Sequence, residues 1–135
     1  MLSNRALSVL GIALAWPVFS FILAMVVSGW LGLGHAAIAL WMPALHFGII
    51  AGIIHLVFFV VSSSHRTPSL VVTLIVAALA SPVTYLELCV YLNEPFLPLA
   101  QHLALTVSVS ALTIPWVVYF GAVRPCARML TEAQG

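Results

Sequence analysis

Apolar residues fill four long stretches of this chain, at roughly 6–29, 37–61, 69–92 and 99–122, and the polar residues gather between them. An α-helix needs about 20 apolar residues to cross a bilayer, and each stretch is long enough. The pattern predicts an all-α integral membrane protein with one four-helix transmembrane domain over 1–135. The breaks carry turn chemistry. They are Gly29-Trp30-Leu31-Gly32-Leu33-Gly34, then Ser62-Ser63-Ser64-His65-Arg66-Thr67-Pro68, then Asn93-Glu94-Pro95-Phe96-Leu97-Pro98. All three are short, so sequential helices are expected to pack as an antiparallel bundle. The first stretch follows Met1–Arg5 as a signal peptide's apolar region would. Its length exceeds the roughly 7–15 residues of such a region, so it reads as the first membrane helix.

Composition sharpens this picture. The chain is 64% hydrophobic and 5% charged, where a soluble domain carries roughly 25% charged residues. Seven charges cannot coat a water-facing surface, counting four basic and three acidic residues; a lipid-facing surface needs none. There is no lysine, no aspartate and no basic patch of the kind that binds nucleic acid. Cys89 and Cys126 are expected toward opposite membrane faces, about 30 Å apart, too far for a disulfide.

Orientation follows from arginine. Arg5 precedes the first helix, Arg66 lies between the second and third, and Arg124 and Arg128 follow the fourth. All four fall on one side, which is cytoplasmic by the positive-inside rule. Both termini are therefore expected inside a plasma membrane, the bacterial inner membrane. Trp30 and Trp41 then mark the outer interface, with Trp116 and Tyr119 toward the inner one.

Two further regularities appear. Ala13-Leu14-Ala15-Trp16-Pro17-Val18 echoes Ala78-Leu79-Ala80-Ser81-Pro82-Val83 at an offset of 65. Two tandem two-helix repeats would produce this, and so would chance in a chain rich in Ala, Leu and Val. Each helix also holds an interior proline, Pro17, Pro43, Pro82 or Pro115, which removes one helical hydrogen bond.

In lipid, helices associate through small residues and polar contacts. The third helix aligns Thr73, Ala77, Ala80, Thr84, Glu87 and Tyr91 on one face. The fourth aligns His102, Thr106, Ser110 and Thr113, and the second Ala44, Gly48, Gly52 and His55. The first offers only Gly11 and Ala15. The stripes of helices two, three and four are therefore expected inward, with Gly48, Gly52, Ala80 and Thr84 as packing residues. Phe58, Phe59, Leu70 and Val72 are expected to face lipid or a partner.

Candidate chemistry concentrates at the outer side. His35 and Glu94 lie in outer loops, and His102 opens the fourth helix. Glu87 lies about 7 Å inside the outer end of its helix and His46 about 13 Å inside its own. Glutamate and histidine can relay protons or ligate metals, and Glu87 is expected to meet His102. His46 and His55 point to opposite faces and cannot share an ion or haem. No HExxH, CxxC, GxSxG or phosphate-loop spacing occurs, so no catalytic residue, cofactor or metal site is assigned. Helix one has no charge between Ala6 and Trp30, unlike four-helix multidrug exporters, which use a carboxylate there.

Two function classes remain. One is an accessory, assembly or interaction subunit that docks on other membrane proteins or on itself. The other is a small oligomeric transporter or channel-like protein that uses Glu87 and the outer-leaflet histidines for a proton, ion or substrate. The topology is testable alone. Reporter fusions should be cytoplasmically active at Gly135 and externally active at Asn93; an externally active phosphatase at Gly135 would overturn the assignment.

Overall fold

The computed structural model describes residues 4–34, 38–61, 70–91 and 99–134, and side chains over 5–34, 41–61, 70–88, 105–129 and at Glu132. The chain is helical almost throughout this range. Helix α1 runs Asn4–Trp30, α2 Ile38–Val61, α3 Leu70–Tyr91 and α4 Leu99–Val118. A π-helical turn, Tyr119–Val123, joins α4 to α5, Arg124–Gln134. Four helices are long and apolar enough to cross a membrane, and their bounds lie within two residues of the expected spans except at the end of α4, which gives way to a π turn after Val118. Cys126 is a free thiol.

Helix ends follow local chemistry. At the end of α1, Gly32 takes φ +63°, a left-handed conformation that costs glycine little. Its N–H bonds to the Gly29 carbonyl at 3.2 Å, and the Leu33 N–H reaches back to Ser28 at 3.1 Å. Together these bonds form a Schellman stop, which satisfies carbonyls that the helix end would otherwise orphan. At the far end of α4, the Arg124 N–H bonds to the Tyr119 carbonyl, five residues back. Pro125 follows and has no N–H to place, so the widened turn carries the helix onward past it.

The tightest interface joins α1 and α2. A Cβ on Gly48 would lie 2.5 Å from the Pro17 Cα and 2.8 Å from the Trp16 carbonyl oxygen. A Cβ on Gly52 would run into the Ala13 carbonyl oxygen. Contacts along this pair run in opposite sequence directions, from Ala13 with Gly52 and Pro17 with Gly48 to Ser28 with Trp41. The Trp41 indole donates to the Ser28 hydroxyl at 2.9 Å, and that hydroxyl donates to the Met25 carbonyl. Helix α2 also touches α3 and α4, whereas α1 and α3 do not meet among the described residues.

The glycine stripe is thus inward as expected, but its partner is α1, which the sequence reading had given little to bury. Helix α1 buries Ile12, Trp16, Ser20, Ala24 and Ser28, one residue in every four, along with Ala15. Gly11 meets open space. In α3 the expected stripe is buried at Thr73, Ala77, Ala80 and Thr84, then passes to Leu88. At 100° per residue, Leu88 sits 40° past Thr84 and Glu87 sits 60° short of it; the neighbouring helices lie on the Leu88 side.

Other outward and inward assignments change. Phe58, Phe59 and Val72 are partly buried and pack on the core formed by Trp16, Phe47, Ala51, Val76 and their neighbours; Leu70 is half-buried as well. In α4 the buried line is Val107, Ser110, Ile114 and Val118, with Thr113 exposed. Trp30 stands out from the bundle.

The offset of 65 carries no common packing through the second half. It maps Pro43, Ala44, Phe47, Gly48, Ala51, Gly52 and His55, all buried, onto Ser108, Val109, Leu112, Thr113, Trp116, Val117 and Phe120, all exposed. Helix α2 faces three neighbours while α4 leaves that phase open.

Gly52→Leu should push α1 and α2 apart, at a cost of at least the ~1–3 kcal/mol typical of overpacking. Val60→Leu, on an exposed face, should stay within about 0.5 kcal/mol of the parent. Thermal melting in mild detergent compares them; equal melting would show that α1 does not press on Gly52.

Candidate functional site

The described structure joins two of the five candidate polar residues. His46 Nδ1 lies 3.1 and 3.2 Å from the two carboxylate oxygens of Glu87. Their side chains are 29% and 44% exposed, so the pair lies on the outside of the α2–α3 seam. Glu87 thus faces outward, not inward as expected, and its expected contact with His102 lies outside the described residues. The His102 side chain, His35 and Glu94 lie outside the described residues.

Helix geometry explains the pairing. The two backbone positions differ in depth by about 6 Å. A helical Cα–Cβ bond tilts toward the helix N-terminus. On α3 that tilt takes Glu87 away from the nearer end at Tyr91, deeper along the bundle. On α2 it takes His46 the other way, toward Ile38. The side chains close the gap from both directions.

Nδ1 and the carboxylate lie within hydrogen-bonding distance of each other. With a proton on Nδ1, the ring donates to the carboxylate; with it on the carboxyl, the hydroxyl donates to Nδ1. A single proton added to neutral imidazole and carboxylate leaves no net charge in either arrangement. That matters at a site bordered by exposed Leu79, Val83 and Leu86, since an uncompensated charge in apolar surroundings is costly.

A second polar site lies inside and had no predicted partner. His55 is fully buried. The Trp16 indole N–H donates to His55 Nδ1 at 3.0 Å. An indole can only donate, so Nδ1 offers its lone pair and the ring proton sits on Nε2. Among the described residues Nε2 has no hydrogen-bond partner. Phe59 stacks on the imidazole at 5.2 Å with 6° between planes, and Phe47 meets Trp16 edge-on at 6.2 Å. The arrangement locks α1 to α2. His46 and His55 do occupy different faces, as expected. The missed signal was Trp16, a donor within an apolar helix that must find an acceptor when buried.

Thr84 and Ala80, assigned to packing, are both buried, and the Thr84 hydroxyl returns to the Ala80 carbonyl at 2.6 Å. Among the described residues no three His, Cys, Asp or Glu side chains gather as metal ligands would. Comparison with protein-family models, curated proteins and solved structures finds no match to this chain.

Trp16→Phe should leave His55 without its buried donor and lower stability by about 1–3 kcal/mol. His55→Leu strands the indole and should cost a similar amount. The double variant should lose less than the sum of the two, because neither group is then left unpaired. Strict additivity of the melting shifts would rule out the Trp16–His55 bond as the lock.

Proposed function

We propose that this protein is a small accessory or interaction subunit of a larger membrane complex, and that the α2–α3 face is where it docks. In this reading the four helices cross a plasma membrane, the bacterial inner membrane, as an antiparallel bundle with both termini cytoplasmic. The arginine distribution supports that orientation. One observation carries the docking assignment: Glu87, the only acid within the four long helices, is turned outward beside His46. A polar pair left against hydrocarbon is unfavourable, and intramembrane charges usually face protein or a water-filled cavity. Glu87 gains little by reaching toward the near end of α3, because its side chain leans the opposite way. A partner that supplies hydrogen bonds, either another membrane protein or a second copy, resolves this.

A second reading, an oligomeric transporter or channel-like protein, is favoured by the contact of His46 with Glu87, two groups able to relay protons. It requires a second copy to enclose a path, since the pair sits at the perimeter of a single bundle.

A photo-crosslinking residue in place of Leu86 should yield a protein adduct in cells, and one in place of Leu112, on α4, should not. Glu87→Ala should reduce the Leu86 adduct severalfold while Glu87→Gln, which keeps hydrogen bonding, retains most of it. No protein adduct at Leu86 would reject docking on this face. A stable Glu87→Gln that crosslinks normally yet fails to complement a deletion strain would favour transport, because only the titration has been removed.

A further inference from the structure

Helix α4 leaves Leu112 and Trp116 exposed four residues apart, Phe120 follows in the π turn, and α5 continues the spacing with exposed Arg124 and Arg128. Residues four apart lie one above the other on a helix, so the five form one lane, apolar first and then cationic. The register holds across the π turn, where the Arg124 guanidinium carbon stands 5.8 Å from the centre of the Phe120 ring. Arg124 therefore leans back toward α4, the way a helical Cα–Cβ bond tilts, instead of reaching on toward the chain end. Neither arginine has a carboxylate partner among the described residues. Glu132, one turn beyond Arg128, is exposed and pairs with neither.

Depth decides what can occupy this lane. The apolar segment Leu105–Met129 has 25 residues, about 37 Å of helix against a hydrocarbon core of about 30 Å. Its only charges are Arg124 and Arg128, near one end, so the surplus falls there and sets them at the level of lipid phosphates. Trp116 lies about 12 Å further in than Arg124, alongside acyl chains. A guanidinium held over an aromatic face is pre-organised and weakly hydrated, and it meets a phosphate through two parallel N–H bonds. An occupant of the whole lane has to be anionic at one end and apolar beyond it.

We propose that the lane from Leu112 to Arg128 binds one anionic phospholipid, its headgroup phosphate between Arg124 and Arg128 and an acyl chain along Phe120, Trp116 and Leu112. A zwitterionic lipid brings its own cation to the phosphate and gains less from two unpaired arginines. A soluble anion would meet the arginines and leave the aromatic half of the lane uncovered. The proposal rests on the reading that the four helices cross a membrane and is independent of docking on α2 and α3.

The test places the whole chain in phosphatidylcholine nanodiscs doped with either phosphatidylglycerol or phosphatidylcholine brominated at mid-chain. Quenching of Trp116 is read as the difference between the parent and Trp116→Phe. Brominated phosphatidylglycerol should quench at a mole fraction at least about fivefold lower than brominated phosphatidylcholine, the worth of a single arginine at a membrane surface. Arg124→Gln and Arg128→Gln should each weaken that preference and together abolish it, whereas Arg5→Gln, on α1, should leave it intact. Glycerol phosphate in the buffer should not displace the lipid. Equal quenching by the two lipids, a preference that survives the double substitution, an equal loss in Arg5→Gln, or displacement by glycerol phosphate would each overturn the proposal and leave the membrane reading standing. A chain that fails to enter nanodiscs would overturn both.

Discussion

The close approach of α1 to α2 is the constraint on which the rest of this bundle depends. In lipid there is no hydrophobic drive to bring one apolar helix to another, so association rests on how closely two backbones can come. Gly48 and Gly52 bring α2 against Pro17 and Ala13 to distances that a side chain would forbid. The contact brings the Trp16 indole to the His55 ring, and the edge of Phe47 to the indole. Helix α2 then touches every other long helix, while α1 and α3 stay apart among the described residues.

This packing divides the polar residues by role. Those inside are mostly tied to structure: Ser28 bridges Trp41 and Met25, Thr84 returns to its own helix, and His55 receives Trp16. The acid lies outside, with His46, at the exposed edge of the α2–α3 seam. Among the described residues the interior is largely apolar, and the one carboxylate within the four long helices faces outward.

Much of the architecture was legible in the sequence because a helix long and apolar enough to cross a bilayer is marked by its length and hydropathy alone. Gly32 ended α1 where the glycine-rich break implied, and Thr73, Ala77, Ala80 and Thr84 marked the buried face of α3. Which helix opposes which was not legible. Small residues say that something comes close, not what. The α1 stripe was overlooked because Trp16 interrupts it, although Ser20, Ala24 and Ser28 repeat at every fourth position. The His46–Glu87 pair was missed for a different reason. Depth was reckoned at Cα positions, and the opposite tilts of side chains on α2 and α3 closed a gap that the backbone left open.

The π turn has a consequence of a different kind. Between buried Val118 and buried Val123 the helix takes five residues to complete a turn instead of about four. The extra residue acts as a phase shift. Upstream, the buried series is Val107, Ser110, Ile114 and Val118; continued without a break it would pass next through Gly121 and Pro125. Downstream, the inward side falls instead at Val123 and half-covered Cys126, and Arg124 and Arg128 are left exposed. Chain count, then, and not the chemistry of the arginines alone, decides which way this end of the protein presents its positive charge. Loss of one residue between Val118 and Val123 would turn everything after it by about 100°, and would carry the two guanidinium groups around the helix without changing either one.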